Sequence, residues 1–200
     1  TSKDLSQGIS NERDLAQLLA TRWNIGGVEE WYFSVKRISK DLRVSPDIDL
    51  LRVYVNRHYP EENRSVGFEL KVEASEMPSD HWSISLEPFY QGLGQIMTYF
   101  EQGIDRAALV VGFQKSCNEH PDEVALAKAL LGWHCTFLKT SIFASFPYLQ
   151  IFSIKNGDLD TLLYSSDWGR QRFSHLSDEA RLLRESIFRL QFVSERLLPA

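Results

Sequence analysis

Two short apolar runs with a polar segment between them constrain this chain more than any other feature. Residues 46–55 and 66–72 are rich in apolar and β-branched side chains, whereas residues 60–65 carry a proline, two acids and an asparagine, a composition typical of turns. We therefore predict two strands joined as a β-hairpin. The apolar positions are Leu51, Val53, Val55, Val66, Phe68, Leu70 and Val72.

The charged residues of this hairpin are expected to meet at one end of the sheet. Successive side chains of a strand alternate between its two faces, so Glu69 and Lys71 share a face, as do Asp47 and Asp49. Pairing of the two strands can then bring an Asp, the Glu and the Lys together. Carboxylate oxygens beside an ammonium group are suited to hold Mg²⁺ and a water next to a phosphate.

The order Pro46-Asp47, a spacer and then Glu69-x-Lys71 resembles the signature of the PD-(D/E)xK nucleases. That family includes type II restriction enzymes, archaeal Holliday-junction resolvases and RecB-like exonucleases. The resemblance implies an α/β fold with a restriction-endonuclease-like core, in which helices flank a central mixed β-sheet. It also implies a deoxyribonuclease that uses Mg²⁺, for which Mn²⁺ can substitute, to hydrolyse DNA with a metal-activated water. Lys71 would orient or deprotonate that water, or stabilise the phosphate.

Two alternatives remain open within this signature. Relatives place the metal-binding Asp either directly after the proline or before an apolar pair. Asp49 opens the apolar run, so we predict that Asp49 is the catalytic and metal-binding acid, with Asp47 as second choice or as a turn residue. Glu69 is predicted to be catalytic and a metal ligand. The alternative is a structural ion pair with Lys71, because a charge in the centre of a strand needs a partner.

A helix is predicted over residues 12–23, where apolar residues recur at helical spacing and Ser10-Asn11 supplies a capping signal. Glu12 begins it. The run from Glu12 resembles the first motif of the family, where a Glu at a helix start points at the metal. The alternative is that an acid in the first turn only complements the helix dipole.

The most basic stretch of the chain overlaps the end of a strand predicted over residues 31–38 and directly precedes the hairpin. Such a run is usually a solvated face, but beside the predicted metal site it can also contact phosphates. We predict that its four cations bind nucleic acid: Lys36, Arg37, Lys40 and Arg43.

A second helix is predicted from Pro88 to the glycine at 103, since a proline suits its first turn and a glycine its C-terminal cap. Gln95 and Tyr99 resemble the QxxxY motif of RecB-like members of the family, which predicts a catalytic role for Gln95 and nucleic-acid binding for Tyr99. The alternatives are a surface glutamine and a core aromatic. Gly92 and Gly94 each weaken a helix, so their presence indicates a close approach at this face.

Composition limits the classes of protein. The chain has 200 residues, 43% of them hydrophobic, which suits one domain: we predict a nuclease-like core at about 10–115 and an extension at about 116–200. No apolar run spans a membrane, and the polar start favours an intracellular, cytoplasmic protein. Neither the two Cys nor the five His follow a disulfide or zinc pattern. A net charge of −5 argues against a generic nucleic-acid coat.

The remaining elements match no motif. We predict a buried strand at 106–113, a helix at 121–140, a strand at 148–154 joined by a turn at 156–157 to a strand at 159–164, and an amphipathic helix at 177–198. The later elements are expected to extend the sheet and could form a homodimer surface. The alternative function is a nuclease-fold module that binds nucleic acid or protein without cutting.

Overall fold

The structure is a computed structural model that describes residues 9–24, 29–36, 47–73, 87–114, 117, 121–141, 149–155, 158–163 and 178–198. Four helices and seven strands lie within them. In chain order these are α1 (Glu12–Trp23), β1 (Glu29–Lys36), β2 (Ile48–Tyr54), β3 (Arg64–Glu73), α2 (Glu87–Tyr99), β4 (Arg106–Phe113), α3 (Pro121–Ser141), β5 (Leu149–Lys155), β6 (Asp158–Leu163), α4 (Asp178–Phe188) and β7 (Val193–Leu197).

The strands form one mixed sheet in the order β6-β5-β4-β3-β2-β1-β7. The β3–β4 and β4–β5 pairs are parallel and the other four pairs are antiparallel. Strand β3 therefore lies in the middle, between β2 and β4. The predicted α/β fold with a central mixed sheet is confirmed, and the later strands extend that sheet as expected.

Helices cover both faces of the sheet, and each face has its own core. On one face α1 packs against Trp31, Phe68 and Val110, and the Trp23 ring lies 5.6 Å from the Phe68 ring. On the other face the buried residues of α2 and α3 pack against alternate side chains of β2 and β4. This arrangement explains why β4 is buried along its whole length, as its continuous apolar sequence predicts.

The predicted hairpin is confirmed. Strands β2 and β3 pair antiparallel with Leu50 opposite Phe68, and a short 3-10 turn at Pro60–Glu62 lies in the connection. The bounds of α1 and β4 agree with the prediction, and β1 begins two residues earlier than predicted. Residues 37 and 38 of that predicted strand, and the predicted turn at 156–157, lie outside the described residues.

The C-terminal prediction is wrong beyond residue 188. A single helix was expected over 177–198, but α4 ends at Phe188 and β7 follows. Leu190 adopts a left-handed backbone conformation with φ of 54°, which a continuing helix does not permit. Strand β7 then pairs with the open edge of β1, where Leu197 is buried. The edge of β1 offers backbone hydrogen bonds to residues 193–197, and this long-range pairing cannot be predicted from the helical periodicity of the segment itself.

The end of α2 follows the predicted signal. The helix ends at Tyr99, and Gly103 has a φ of 77°, a conformation that favours glycine. A Cβ atom at Gly103 would also lie 2.3 Å from the carbonyl oxygen of Ala180 in α4. Glycine at this position therefore both turns the chain into β4 and lets α4 approach.

No helix among the described residues is long and apolar enough to cross a membrane.

Candidate active site

The start of α1 is fixed by two capping hydrogen bonds. The Asn11 side chain accepts a hydrogen bond from the Asp14 backbone N–H at 3.0 Å, and the Asp14 carboxylate accepts one from the Ser10 N–H at 3.2 Å. The two bonds set Asn11, the second residue of the predicted Ser10-Asn11 capping signal, as the last residue before the helix. Glu12 is consequently held in the first turn of α1.

Glu69 and Lys71 form an ion pair on the central strand. Lys71 Nζ lies 2.6 Å from Glu69 Oε1. The Glu69 side chain is 0% exposed, whereas that of Lys71 is 17% exposed. The two residues share a face of β3 because they are two positions apart. A buried carboxylate is thus linked to a cation that still reaches the surface.

Asp49 lies beside this pair at the start of β2. Its Oδ2 accepts a hydrogen bond from the Leu70 backbone N–H at 2.9 Å. Burial, followed by the negative charge of Glu69, raises the pKa of Asp49 from 3.8 to about 7, against the opposing effects of the Leu70 N–H and of Lys71. Two carboxyl groups, those of Asp49 and Glu69, therefore lie close to a single cation, Lys71.

Glu12, at the start of α1, is the fourth charged residue of this cluster. Glu12 is exposed, yet partial burial of its carboxyl group raises its pKa. After burial, the charges of Lys71 and Glu69 have the largest effects on that pKa. Lys71 lowers that pKa and Glu69 raises it. Residues from α1, β2 and β3 thus lie within electrostatic reach of one another: Glu12, Asp49, Glu69 and Lys71.

Tyr99 belongs to the site as a buried side chain. Its side chain is fully buried, and its hydroxyl group donates a hydrogen bond to Glu69 Oε2. Burial, then the charges of Glu69 and Asp49, raise the pKa of Tyr99. A side chain without exposed surface cannot stack on a base, so the burial of Tyr99 favours the alternative, a core aromatic, over nucleic-acid binding. Gln95 lies one turn earlier on the same helix and is half-buried.

Two glycines make room for these side chains. A Cβ atom at Gly67 would lie 2.7 Å from Tyr99 Cδ2, and one at Gly92 would lie 2.6 Å from Leu109 Cδ1 and 3.3 Å from Lys71 Cγ and Cε. The close approach predicted for α2 therefore holds at Gly92. It does not hold at Gly94, where a Cβ atom would meet nothing within 4 Å.

The acids suit a hard cation by their chemistry. Glu12, Asp49 and Glu69 all offer oxygen ligands, which Mg²⁺ prefers. The raised pKa of Asp49 shows that negative charge is unfavourable here, and a bound cation would stabilise it. As they lie, however, no three His, Cys, Asp or Glu side chains within the described ranges form a group that could hold a metal ion. The residues present fit the predicted metal in donor type, without a preformed cage.

The predicted phosphate-binding run is described only at its first residue. Lys36 ends β1 with an exposed side chain, and its Nζ lies 3.7 Å from Asp47 Oδ2. Asp47 is itself exposed, whereas the Asp49 carboxylate accepts a hydrogen bond from the Leu70 N–H next to Glu69, so the geometry favours Asp49 over Asp47 as the acid of the site. The other three predicted cations lie outside the described residues: Arg37, Lys40 and Arg43.

Comparison of the chain with protein-family models, with curated proteins and with solved structures gives no match.

Gly67 is the site residue that the sequence analysis overlooked. A glycine inside an apolar strand indicates a close approach of another group, and Gly67 stands two residues before Glu69. That signal could have been used. The approaching group is the ring of Tyr99, and this contact depends on how α2 packs on β3. It cannot be predicted from the sequence of either segment alone.

Proposed function

We propose that this chain is a Mg²⁺-dependent nuclease of the PD-(D/E)xK type, with a restriction-endonuclease-like core, that hydrolyses phosphodiester bonds in DNA. One observation carries the proposal: Asp49, Glu69 and Lys71, the residues that resemble the family signature, lie together at the centre of the sheet. Glu12, from the helix that resembles the first motif of the family, approaches the same place.

The chain's own residues have distinct roles in this proposal. Glu12, Asp49 and Glu69 would hold the metal, and Mn²⁺ would substitute for Mg²⁺. The bound cation supplies Lewis-acid activation of a water and compensates charge at the phosphate. The Lys71 ammonium group uses one of its three protons on Glu69, which leaves protons to orient a water or to donate to a phosphate oxygen. Gln95 would position the phosphate or Lys71.

The polyanion would contact the basic run that leads from β1 into the hairpin. The chain carries 22 basic and 27 acidic residues, so positive potential must be concentrated locally to hold DNA. Lys36 supports this placement because it is exposed at the end of β1, the strand next to β2. Arg37, Lys40 and Arg43 complete the proposed surface.

A homodimer is part of the same proposal. Among its described side chains, helix α3 exposes large apolar residues at helical spacing, a kind of surface that marks interaction sites. These are Leu126, Leu130 and Trp133. Light scattering of the wild type and of Trp133→Ser tests whether a second copy packs there: a dimer that persists in the variant excludes this surface.

The alternative is a nuclease-fold module that binds nucleic acid or protein without cutting. The observation in its favour is that both oxygens of Glu69 already accept hydrogen bonds, from Lys71 and from Tyr99. In such a module the acids and Lys71 would serve only the fold. Binding would then be unaffected by chelation.

A cleavage assay decides between the two. Labelled duplex, branched and single-stranded DNA and RNA are incubated with Mg²⁺, Mn²⁺ or EDTA, using the wild type, Glu69→Gln and Lys71→Ala. We expect cleavage with either metal and none with EDTA or in the two variants. Glu185→Gln, which changes an exposed acid of α4, is the matched control and should cut normally. Cleavage that survives both chelation and the two variants contradicts the proposed mechanism.

A further inference from the structure

The buried carboxylate of Glu69 is held from two sides by donors of different kinds. Lys71 donates to Oε1 at 2.6 Å, and the Tyr99 hydroxyl donates to Oε2. A carboxylate has about four acceptor sites, so these two bonds leave capacity for a further ligand. Tyr99 adds no charge, and its bond therefore orients Glu69 without competing with Lys71 for the role of counter-ion.

The backbone of β3 provides the seat for the tyrosine ring. Gly67 precedes Glu69 by two residues and lies on the same face of the strand. A Cβ atom there would lie 2.7 Å from Tyr99 Cδ2 and 3.2 Å from Cε2, closer than van der Waals contact allows. Only glycine lets the ring lie against the strand at this point. The hydroxyl group then reaches the carboxylate at the next position on that face.

We propose that Tyr99, seated on Gly67, is a positioning residue that keeps Glu69 in one orientation, with Oε1 directed to Lys71. The part of this proposal that concerns catalysis rests on the proposed nuclease function, whereas the part that concerns the Glu69–Lys71 geometry does not. Hydrogen-bonding partners of metal-binding carboxylates typically change metal affinity or activity by about 10- to 100-fold when removed.

The test is Tyr99→Phe, which keeps the ring and its seat and removes only the hydroxyl group. Without that bond Glu69 can turn away from Lys71. We expect acylation of the Lys71 amine, followed by mass spectrometry, to become several-fold faster. We expect Mn²⁺ affinity, measured by electron paramagnetic resonance, to fall by about 10-fold or more, and kcat to fall with little change in KM for DNA.

Tyr32→Phe is the matched control. Tyr32 is also a buried tyrosine whose hydroxyl group donates to a carboxylate, that of Glu30, but it lies in β1. The control should lose a similar hydrogen bond while Lys71 labelling and Mn²⁺ affinity stay as in the wild type. A general loosening of the fold would instead change both variants alike.

A second perturbation acts through the seat. Gly67→Ala should displace the ring and raise Lys71 labelling, but it should add little in a chain that already carries Tyr99→Phe, because both changes act on one hydrogen bond. Independent, additive effects would overturn the seating argument.

The outcomes separate this proposal from the proposed function. Unchanged Lys71 labelling in Tyr99→Phe overturns the positioning role, whether or not the wild type cuts DNA. A wild type that neither binds Mn²⁺ nor cuts DNA overturns the proposed function, and the labelling comparison still decides the role of Tyr99.

Discussion

Replacing Asp49 by Asn should make the folded protein more stable at alkaline pH. The amide keeps the size of the side chain and an oxygen that can accept the 2.9 Å bond from the Leu70 N–H. What it removes is a negative charge that is partly buried beside Glu69. Most substitutions at well-packed positions destabilise a protein, so an increase in stability here is a distinctive result.

The size of the effect follows from the pKa of Asp49, which burial and Glu69 raise from 3.8 to about 7. The folded state binds the proton more tightly than the unfolded chain, so the stability from this group is complete below pH 3.8 and is lost as pH rises through about 7. The full difference corresponds to about 4 kcal/mol. Because solvent reaches part of the side chain, we expect Asp49→Asn to gain about 2 kcal/mol.

Urea unfolding at pH 4 and pH 8 in EDTA measures this gain. The variant and the wild type should nearly agree at pH 4, where Asp49 is protonated in the folded state and only about half ionised in the unfolded chain, and should differ by about 2 kcal/mol at pH 8. Asp47→Asn is the matched control, since Asp47 is exposed and its pair with Lys36 at 3.7 Å contributes little. Added Mg²⁺ should stabilise the wild type more than Asp49→Asn.

A less stable Asp49→Asn protein at pH 8 would refute the reasoning, because it would mean that the charge of Asp49 is held by stabilising partners. A difference that does not depend on pH would refute it as well, since the cause would then not be ionisation.

Two further predictions use pairs of neighbouring residues. Gly92→Ala should lower cleavage by about 10-fold or more, because the new Cβ atom meets Leu109 Cδ1 at 2.6 Å and the Lys71 stem at 3.3 Å and so pushes α2 and Lys71 apart, whereas Gly94→Ala has open space and should stabilise the helix by about 1 kcal/mol at unchanged activity. Equal activity of the two variants would show that Lys71 tolerates displacement. Lys36→Ala with Arg37→Ala should weaken DNA binding similarly for all sequences and reduce the salt dependence by about one unit of slope per lost contact, as measured by fluorescence anisotropy. An unchanged slope would place the DNA elsewhere.

Local patterns in the sequence were sufficient for much of the fold. The caps of α1 and the proline and glycine near the ends of α2 are signals carried by adjacent residues, so the helices begin and end close to the predicted positions. The alternation of side chains along β3 likewise brings Glu69 and Lys71 to one face without reference to the rest of the molecule.

The errors occurred where a distant segment decides the outcome. Residues 193–197 could continue a helix or join a sheet, and the open edge of β1 determines that they form β7. Tyr99 could lie on either side of α2 as far as its motif is concerned, and it turns inward where Gly67, on another element, leaves space for its ring. The pKa of Asp49 depends on burial, which spacing in the sequence cannot supply.

Asp49 also separates the two interpretations of the Glu69–Lys71 pair. A structural ion pair is complete with one acid and one base, and Lys71 and the Tyr99 hydroxyl already donate to the two oxygens of Glu69. A third residue that brings a second negative charge into the same space destabilises such a pair, and an amide at position 49 would keep the bond from the Leu70 N–H without that charge. Perturbed acids of this kind concentrate at functional sites, where a charge is kept for what it binds. The excess acid is therefore the feature of the site that a purely structural role does not explain.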